Sequence, residues 1–290
     1  MMNTSYKSSY THAMVNGKMV PPFFTQDCYD NALEKHPWKD GDIVISTYPK
    51  SGTTLMLNLV FNMIHGDIPK DELLAKVCPW HETQTYNELS SHVPKHRRVW
   101  KSHLDWDDTF KTNHNIKYIY VARNPMDVAV SLYHHSRAVV SMEYYGDWND
   151  NFERFISGDI IYGHWHEHVL GWWNAYKKQE KDILFLFYED FVLNPKKKIE
   201  KVAAFLDVRL SDEKIEKIMK VTSFSSMKAN PQTNHTFGRK PDGEEFVRKG
   251  IIGDWKETFT ESQISRYQKH YNDTIIRNSD IRFKFEDASN

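Results

Sequence analysis

The stretch Asp42-Ile-Val-Ile-Ser-Thr-Tyr-Pro-Lys-Ser-Gly-Thr-Thr54 decides the fold. Its apolar first half predicts a short buried strand, and apolar residues at Leu55, Met56 and Leu59 then follow at helical spacing. The turn between strand and helix holds a lysine, a glycine and several hydroxyls. Free N–H groups of the first helical turn, the helix dipole and the charge of Lys50 would together attract an anion there. The alternative is a plain capped turn that binds no ligand.

Three further strands and several helices continue this alternation along the chain. The alternation predicts one α/β domain over residues 1–290, with a mostly parallel β-sheet flanked by helices on both faces. Ligands bind such sheets at the carboxyl ends of the strands, where functional residues are therefore expected. Residues 1–40 form a polar N-terminal lead, and residues 230–247 are a candidate mobile loop. The predicted strands are residues 98–102, 116–122 and 182–187, and the predicted helices are residues 125–138, 162–178, 195–206 and 212–220.

The composition is that of an ordinary globular protein. The chain has 38 Lys and Arg against 39 Asp and Glu, so no bulk attraction to nucleic acid is expected. The N-terminal stretch lacks the apolar segment of a signal peptide, and no run approaches the roughly 20 apolar residues of a membrane span. We therefore expect a cytoplasmic protein without a membrane partner. Cys28 and Cys78 lack metal-ligand spacing, and no metal site is predicted.

The order of residues in the turn argues against a typical ATP-binding loop. In that loop the lysine follows the second glycine, whereas Lys50 precedes the only glycine here. Residues 47–54 instead resemble the phosphosulfate-binding loop of the cytosolic sulfotransferase family. That family transfers a sulfonyl group from 3′-phosphoadenosine 5′-phosphosulfate (PAPS) to a hydroxyl of a small-molecule acceptor and releases PAP; an amine acceptor stays open. The resemblance implies donor contacts from Lys50, Ser51, Gly52, Thr53, Thr54 and Leu55.

A second motif, Trp100-Lys-Ser-His-Leu104, lies at the end of the next strand. It resembles the Lys-Thr-His-Leu segment of the family, in which the histidine is the catalytic base. The resemblance thus implies His103 as the base, with Lys101 beside it. An attacking hydroxyl must lose its proton, and a histidine with an ordinary pKa near 6.5 can accept one near neutral pH.

A third motif, Val121-Ala-Arg-Asn-Pro-Met-Asp-Val-Ala-Val-Ser131, again follows a strand and opens a helix. Arg123 and Ser131 match the family residues that hold the 3′-phosphate, and a guanidinium can donate two hydrogen bonds to one phosphate. The alternative for Arg123 is an ion pair with Asp127 at the helix start. The family analogy also implies that Ser131 holds Lys50 away from the donor until an acceptor binds.

Three later segments complete the resemblance to the family. They are Phe187-Tyr-Glu-Asp190, Thr222-Ser-Phe-Ser-Ser-Met227 and Arg248-Lys-Gly-Ile-Ile-Gly-Asp-Trp-Lys256. All six segments occur in the family's order and extend from residue 47 to residue 256. The additional donor-binding residues that the resemblance implies are Tyr188, Thr222, Ser223, Phe224, Met227, Arg248, Lys249 and Gly250.

Two departures from the family pattern bear on donor affinity and oligomeric state. Leu55 stands where the family usually has a tryptophan that stacks on adenine, and such a stack is worth roughly 1–3 kcal/mol. The usual dimer motif, Lys-x-x-x-Thr-Val-x-x-x-Glu, keeps Lys256 and Thr260 but has Glu261 and Ser265 at its other two positions. A homodimer therefore stays open.

The acceptor pocket also departs from the family pattern. The segment Cys78-Pro-Trp-His-Glu-Thr-Gln84 and His135 replace residues that are usually apolar or aromatic, which favours an acceptor more polar than a simple phenol. Two other functions are considered for the protein: a metal-dependent kinase or other nucleoside triphosphatase, and a catalytically weak nucleotide carrier. The predicted acceptor-binding residues are Trp80, His81, Thr83, Lys101, His103 and His135.

Overall fold

The computed structural model describes residues 9–83, 93–106, 112–234, 238–240 and 245–285. Strands and helices alternate along most of this part of the chain. Its strands are β1 (Ala13–Val15), β2 (Lys18–Val20), β3 (Ile43–Ser46), β4 (Val99–Ser102), β5 (Lys117–Ala122) and β6 (Asp182–Phe187). Its α-helices are α1 (Gln26–Glu34), α2 (Thr53–Ile64), α3 (Leu74–Val77), α4 (Pro125–Ala138), α5 (Trp148–Ser157), α6 (Trp165–Lys178), α7 (Tyr188–Leu193), α8 (Pro195–Phe205), α9 (Asp212–Val221), α10 (Phe224–Ala229) and α11 (Glu261–Tyr271).

The central sheet is parallel, with the strand order β4-β3-β5-β6. Ser46, the last residue of β3, pairs with Ser102 on β4 and with Tyr120 on β5. The residues that follow these strands therefore emerge side by side at one edge of the sheet. This register places Thr47 next to His103, and the predicted site lies at this edge.

Side chains alternate between the two faces of the sheet, and each face packs into its own apolar cluster. Val44, Trp100 and Tyr120 point to the cluster that includes α4, α5 and α6. Ile45 and Ile119 point to the cluster that includes α2, α8 and α9. The prediction of a parallel sheet covered by helices on both faces is confirmed.

The helix predicted from residue 162 begins later, at Trp165. Tyr162 and Gly163 have φ angles of 70° and 67°, in the left-handed region that a helix cannot use. The amide of Tyr162 donates to the carbonyl of Met19 on β2, at 2.8 Å, instead of to a helical carbonyl. A contact with a distant strand thus sets this boundary, which local sequence could not reveal.

The candidate mobile loop, residues 230–247, falls partly outside the described residues, namely at 235–237 and 241–244. Its described parts are held by hydrogen bonds. Asn234 accepts from the amide of Val247 at 3.0 Å. The carbonyl of Gly238 accepts from the amide of Val140 at 2.9 Å, and the amide of Lys240 donates to the carbonyl of Ala138 at 2.8 Å. The described part of this segment is therefore fastened to the end of α4.

No helix among the described residues is long and apolar enough to cross a membrane.

Candidate functional site

A cavity of about 1170 Å³ opens at the carboxyl ends of β3, β4 and β5. It brings together residues that lie as far apart in sequence as Lys50 and Gly250. The predicted site residues that line it are Lys50, Gly52, Thr53, Thr54, Leu55, Trp80, Lys101, His103, Arg123, Ser131, His135, Tyr188, Thr222, Ser223, Phe224, Met227, Arg248, Lys249 and Gly250.

The turn between β3 and α2 has a backbone that few residues adopt. Gly52 has a φ of 99°, and a Cβ atom at this position would lie 2.7 Å from the ring of Tyr188. Glycine is therefore required both for the backbone angle and for close approach of the ring. Lys50 also has a positive φ, 69°, an unusual conformation for a residue with a side chain. The turn is thus shaped to expose the start of α2 to the cavity.

Two hydroxyls of the turn differ in their surroundings. The hydroxyls of Thr47 and Thr53 lie 2.7 Å apart and hydrogen-bond each other, which ties the end of β3 to the first residue of α2. Ser51 is fully buried and does not line the cavity, and its hydroxyl has no hydrogen-bond partner among the described residues. Buried polar groups are normally paired, so this hydroxyl is an exception among the described residues.

Lys50 faces the cavity among several other cations. Its ammonium lies 4.6 Å from the ring centroid of Phe246. Burial, and then the positive charges of Arg239 and Arg123, lower the pKa of Lys50 to about 7. A lysine whose charge is disfavoured in this way gains most when an anion binds beside it. The cluster of cations therefore indicates a binding site for an anionic group.

His103 is buried at the end of β4 and is oriented by the end of β3. Its Nδ1 lies 2.7 Å from the carbonyl oxygen of Thr47. A carbonyl can only accept, so Nδ1 carries the proton and Nε2 carries the free lone pair. Burial, and then the charge of Lys101, hold the pKa of His103 well below its ordinary value. The imidazole is therefore neutral and can accept a proton at Nε2.

The backbone around His103 is held by two buried side chains. Its amide donates to Oε1 of Glu82 at 2.5 Å, and the same oxygen accepts from the hydroxyl of Ser102 at 3.0 Å. On the other side, Nε2 of His168 donates to the carbonyl of His103 at 3.1 Å. The hydroxyl of Tyr120 then donates to Nδ1 of His168 at 2.8 Å. These bonds fix the position of the imidazole in the cavity wall.

Two aromatic rings flank the imidazole of His103. The ring centroids of Trp80 and Tyr162 lie 5.3 Å and 5.4 Å from it, both in edge-on geometry. Trp80 also lies under Lys101, whose ammonium is 3.6 Å from the indole centroid. Burial lowers the pKa of Lys101 to about 8. A second cation and a neutral histidine thus share one aromatic corner of the cavity.

Arg123 follows β5 and is buried against the turn. Its guanidinium donates to the carbonyls of Lys50, at 3.2 Å, and Ile251, at 3.1 Å. It also lies 4.6 Å above the ring of Tyr188 and 3.6 Å from the carboxylate of Asp127. Its Nε has no hydrogen-bond partner among the described residues. The alternative ion pair with Asp127 is therefore present, and the role of Arg123 as a phosphate ligand stays a prediction.

Asp127 fastens the C-terminal motif to the site, a role that the sequence did not indicate. Its carboxylate accepts from the amides of Gly253, at 3.0 Å, and Trp255, at 3.1 Å. Asp254 pairs with Arg248, and with Lys249 at 2.7 Å. These bonds present the Arg-Lys-Gly segment to the cavity although it lies more than 120 residues away along the chain.

Gly250, the last residue of the Arg-Lys-Gly segment, and Phe224 both line the cavity. Gly250 has a φ of 69°, and a Cβ there would lie 2.4 Å from the ring of Phe224. Phe224 begins α10, and 39% of its surface is exposed. An exposed aromatic face beside a glycine backbone can hold a flat apolar ring. Leu55 lines the same cavity.

Two predicted acceptor ligands do not line the cavity. His81 is fully buried, and its ring packs 4.5 Å from His36 and 4.9 Å from Trp38. Burial lowers the pKa of His81 to about 3. Thr83 donates to the carbonyl of Trp80, at 3.1 Å, as part of a short 3₁₀ turn. The two polar residues thus support the wall behind Trp80, and Gln84 lies outside the described residues.

Sequence reasoning missed four residues of the site. Tyr162, Arg239 and Phe246 line the cavity, and Glu82 positions His103. Only Phe246 carried a signal, because it lies two residues before Arg248. Tyr162 is brought in by the turn before α6, Arg239 by its bridge with Val139 just after α4, and Glu82 by its hydrogen bonds to the end of β4.

Comparisons with known proteins show the family to which the chain belongs. The family model described as "Sulfotransferase domain" matches residues 40–279, and the chain belongs to this family. It is 38% identical to sulfotransferase 1B1 of Canis lupus familiaris over 275 residues, which cover 89% of this chain and 90% of the relative. It is 35% identical to sulfotransferase 1 family member D1 of Rattus norvegicus over 281 residues, 90% and 92% of the two chains.

Solved structures show the same similarity. Mouse sulfotransferase SULT7A1 complexed with PAP matches with a TM-score of 0.77 and 28% identity, covering 93% of this chain and 96% of that one. Retinol dehydratase in complex with androsterone and inactive cofactor PAP matches with a TM-score of 0.77 and 25% identity, covering 92% and 89%. The predicted family, fold class and enzyme class are confirmed: the protein is a sulfotransferase.

Proposed function

We propose that His103 is the general base of the transfer and removes the proton from the acceptor hydroxyl as that oxygen attacks sulfur. The observation that supports this role is the hydrogen bond from Nδ1 to Thr47, which leaves the Nε2 lone pair for the acceptor. The depressed pKa of His103 keeps the imidazole neutral before the acceptor binds. Glu82 and His168 act as positioning residues.

The donor is PAPS, because the chain belongs to the sulfotransferase family and structures related to it hold PAP. When bound, PAPS supplies an activated sulfonyl group whose departure leaves charge on the 5′-phosphate. Lys50, Lys101 and the amides of the turn stabilise this negative charge. The Nε of Arg123 fits such a ligand, since it has no partner among the described residues, and Ser51 contributes to the turn that holds the ligand.

The rest of the donor is held by residues of four other segments. Arg123, Ser131 and Arg248 bind the 3′-phosphate, with Lys249 and the backbone of Gly250 beside it. Ser131 also draws Lys50 away from the donor until the acceptor binds. The residues proposed to surround the adenine of the donor are Leu55, Tyr188, Thr222, Ser223, Phe224 and Met227.

The acceptor is a small molecule that binds on the side of the cavity opposite the proposed adenine site. Among the structural relatives, one retinol dehydratase complex contains androsterone and another contains retinol. Trp80 and Tyr162 provide an apolar wall for such a molecule here, while Lys101 and His135 add polar groups. We therefore propose an acceptor with polar substituents around an apolar body. We also propose that the reaction takes place in the cytoplasm.

A single-turnover assay with PAPS carrying radiolabelled sulfur tests this function against its two rivals. The label is expected to move to a member of a mixed acceptor library in the presence of a metal chelator. Loss of transfer on chelation would contradict a transfer that needs no metal ion. Tight donor binding without any transfer would favour a nucleotide carrier.

A further inference from the structure

Arg123 is attached to the segment that follows the Arg-Lys-Gly motif, although the two lie far apart in sequence. Its guanidinium donates to the carbonyl of Ile251 at 3.1 Å. Asp127, four residues after Arg123, accepts from the amides of Gly253, at 3.0 Å, and Trp255, at 3.1 Å. Three hydrogen bonds therefore join the start of α4 to the C-terminal motif.

The carboxylate of Asp127 is the centre of these contacts. Only 1% of Asp127 is exposed, and it does not line the cavity, so it cannot itself touch a ligand there. It also accepts from the side-chain amide of Asn124 at 2.8 Å and lies 3.6 Å from the guanidinium of Arg123. Since one buried carboxylate holds both Arg123 and the C-terminal motif, any movement of this carboxylate moves both.

A second carboxylate extends the contact to the cations of the Arg-Lys-Gly segment. Asp254 lies between the two residues whose amides donate to Asp127, and it pairs with Arg248, and with Lys249 at 2.7 Å. Arg123, Arg248 and Lys249 all line the cavity. The positions of these three cations relative to one another therefore depend on Asp127. Groups that are held in place before a ligand arrives bind it without the cost of ordering them.

We propose that Asp127 is a positioning residue for the 3′-phosphate of the donor and holds Arg123 and the Arg-Lys-Gly segment together so that both bind this one phosphate. The inference rests on the proposed function, because it takes these cations to be the ligands of that phosphate. Through them, Asp127 makes the protein select nucleotides that carry a 3′-phosphate over nucleotides that carry only a 5′-phosphate.

The test compares PAP with adenosine 5′-monophosphate (AMP), which lacks the 3′-phosphate, by calorimetry on the full chain. The wild-type protein should bind PAP about a hundredfold more tightly than AMP, as two charge-assisted hydrogen bonds predict. Asp127→Asn keeps the size of the side chain but removes its charge and one of its two acceptor oxygens. We expect this variant to lower the preference for PAP by about tenfold, the value of one such bond, and to bind AMP with nearly wild-type affinity.

Asp42→Asn is the matched control, because Asp42 is also a fully buried aspartate that pairs with an arginine. It accepts from Nε of Arg98 at 2.8 Å and lies just before β3, at the end of the sheet opposite the cavity. This variant should lower the unfolding temperature and keep the preference for PAP. An unchanged preference in Asp127→Asn would overturn the inference, as would an equal loss of affinity for the two nucleotides or an equal loss of preference in Asp42→Asn. Equal affinities of PAP and AMP for the wild-type protein would instead count against the proposed donor contacts.

Hydrogen exchange of the wild-type protein provides a measurement that does not depend on the folding of a variant. The amides of Gly253 and Trp255 donate to Asp127, so their exchange reports on this contact. At saturating concentrations, PAP should slow exchange in residues 251–255 more than AMP does, because only PAP has a phosphate that joins Arg123 to the Arg-Lys-Gly segment. Equal protection by the two nucleotides would contradict the role of Asp127.

Discussion

The Nδ1 atom of His103 lies 2.7 Å from the carbonyl oxygen of Thr47, and this contact assigns the tautomer of the proposed base. His168 is hydrogen-bonded directly to His103. It has the opposite tautomer, because its Nε2 donates to the carbonyl of His103. We expect ¹⁵N NMR of the histidine rings to show a protonated Nδ1 in His103 and a protonated Nε2 in His168. The variants His103→Gln and His168→Gln assign the two sets of signals.

A protonated Nε2 in neutral His103 would be incompatible with the proposed base. It would place the proton on the atom that has to accept one.

Replacing Gly52 by alanine tests the shape of the turn. The new methyl group would lie 2.7 Å from the ring of Tyr188, so the turn or the ring must move. We expect Gly52→Ala to weaken PAP binding by about tenfold or more. Gly66→Ala is the control, because Gly66 has a similar φ of 87° but an added Cβ meets no atom within 4 Å. It should lower stability by about 1–2 kcal/mol and leave PAP affinity unchanged.

The pKa of Lys50 predicts how PAP affinity depends on pH. In the free protein this pKa is lowered to about 7, and an anion bound beside Lys50 raises it. Binding therefore benefits fully from the charge below pH 7 and loses that benefit as pH rises above 7 toward the raised value. Lys101, whose pKa is about 8, adds to the loss at higher pH.

Calorimetry between pH 7 and 9 measures this loss of affinity. Lys50→Arg should flatten the decline, because a guanidinium stays charged over the whole range. A decline of the same steepness in the variant would assign the pH dependence to other groups.

Replacing Leu55 by tryptophan tests the missing stack. Leu55 and Phe224 both line the cavity, and both are proposed to contact the adenine. An indole there should strengthen PAP binding by about 1 kcal/mol or more, as base stacking does. Leu55→Met changes the side chain without adding a ring and should leave affinity nearly unchanged. Equal PAP affinities in Leu55→Trp and the wild type would mean that the adenine of PAP binds elsewhere.

Sequence was sufficient to predict the sheet and most of the proposed donor residues that line the cavity, because both depend on local patterns. The four central strands are short apolar runs, and the donor residues follow them directly. Phe224 and Met227 were found only through the family resemblance, since an aromatic residue by itself indicates a core position more often than a ligand site.

The acceptor side depends on long-range contacts, and sequence was a poor guide to it. Glu82 reaches His103 across the edge of the sheet, and Tyr162 is turned toward His103 by its contact with Met19. His81 is predicted to contact the acceptor because it lies in a segment that is usually part of the acceptor pocket in the family, yet its ring packs between other rings of the core.

The incomplete dimer motif shows that a sequence match can have a purely local cause. Thr260 caps α11 through a hydrogen bond from the amide of Gln263, so its presence has a local explanation. Whether the chain forms a homodimer stays a prediction.

The most direct measurement is the comparison of turnover and PAP affinity in His103→Ala. With the acceptor found in the single-turnover assay, kcat/KM is expected to fall by about 10²–10⁴, the usual contribution of a general base. The dissociation constant for PAP should stay close to that of the wild type. His114→Ala, which changes an exposed histidine outside the cavity, should leave both quantities unchanged. A kcat/KM for His103→Ala close to that of the wild type would contradict the assignment of His103 as the base.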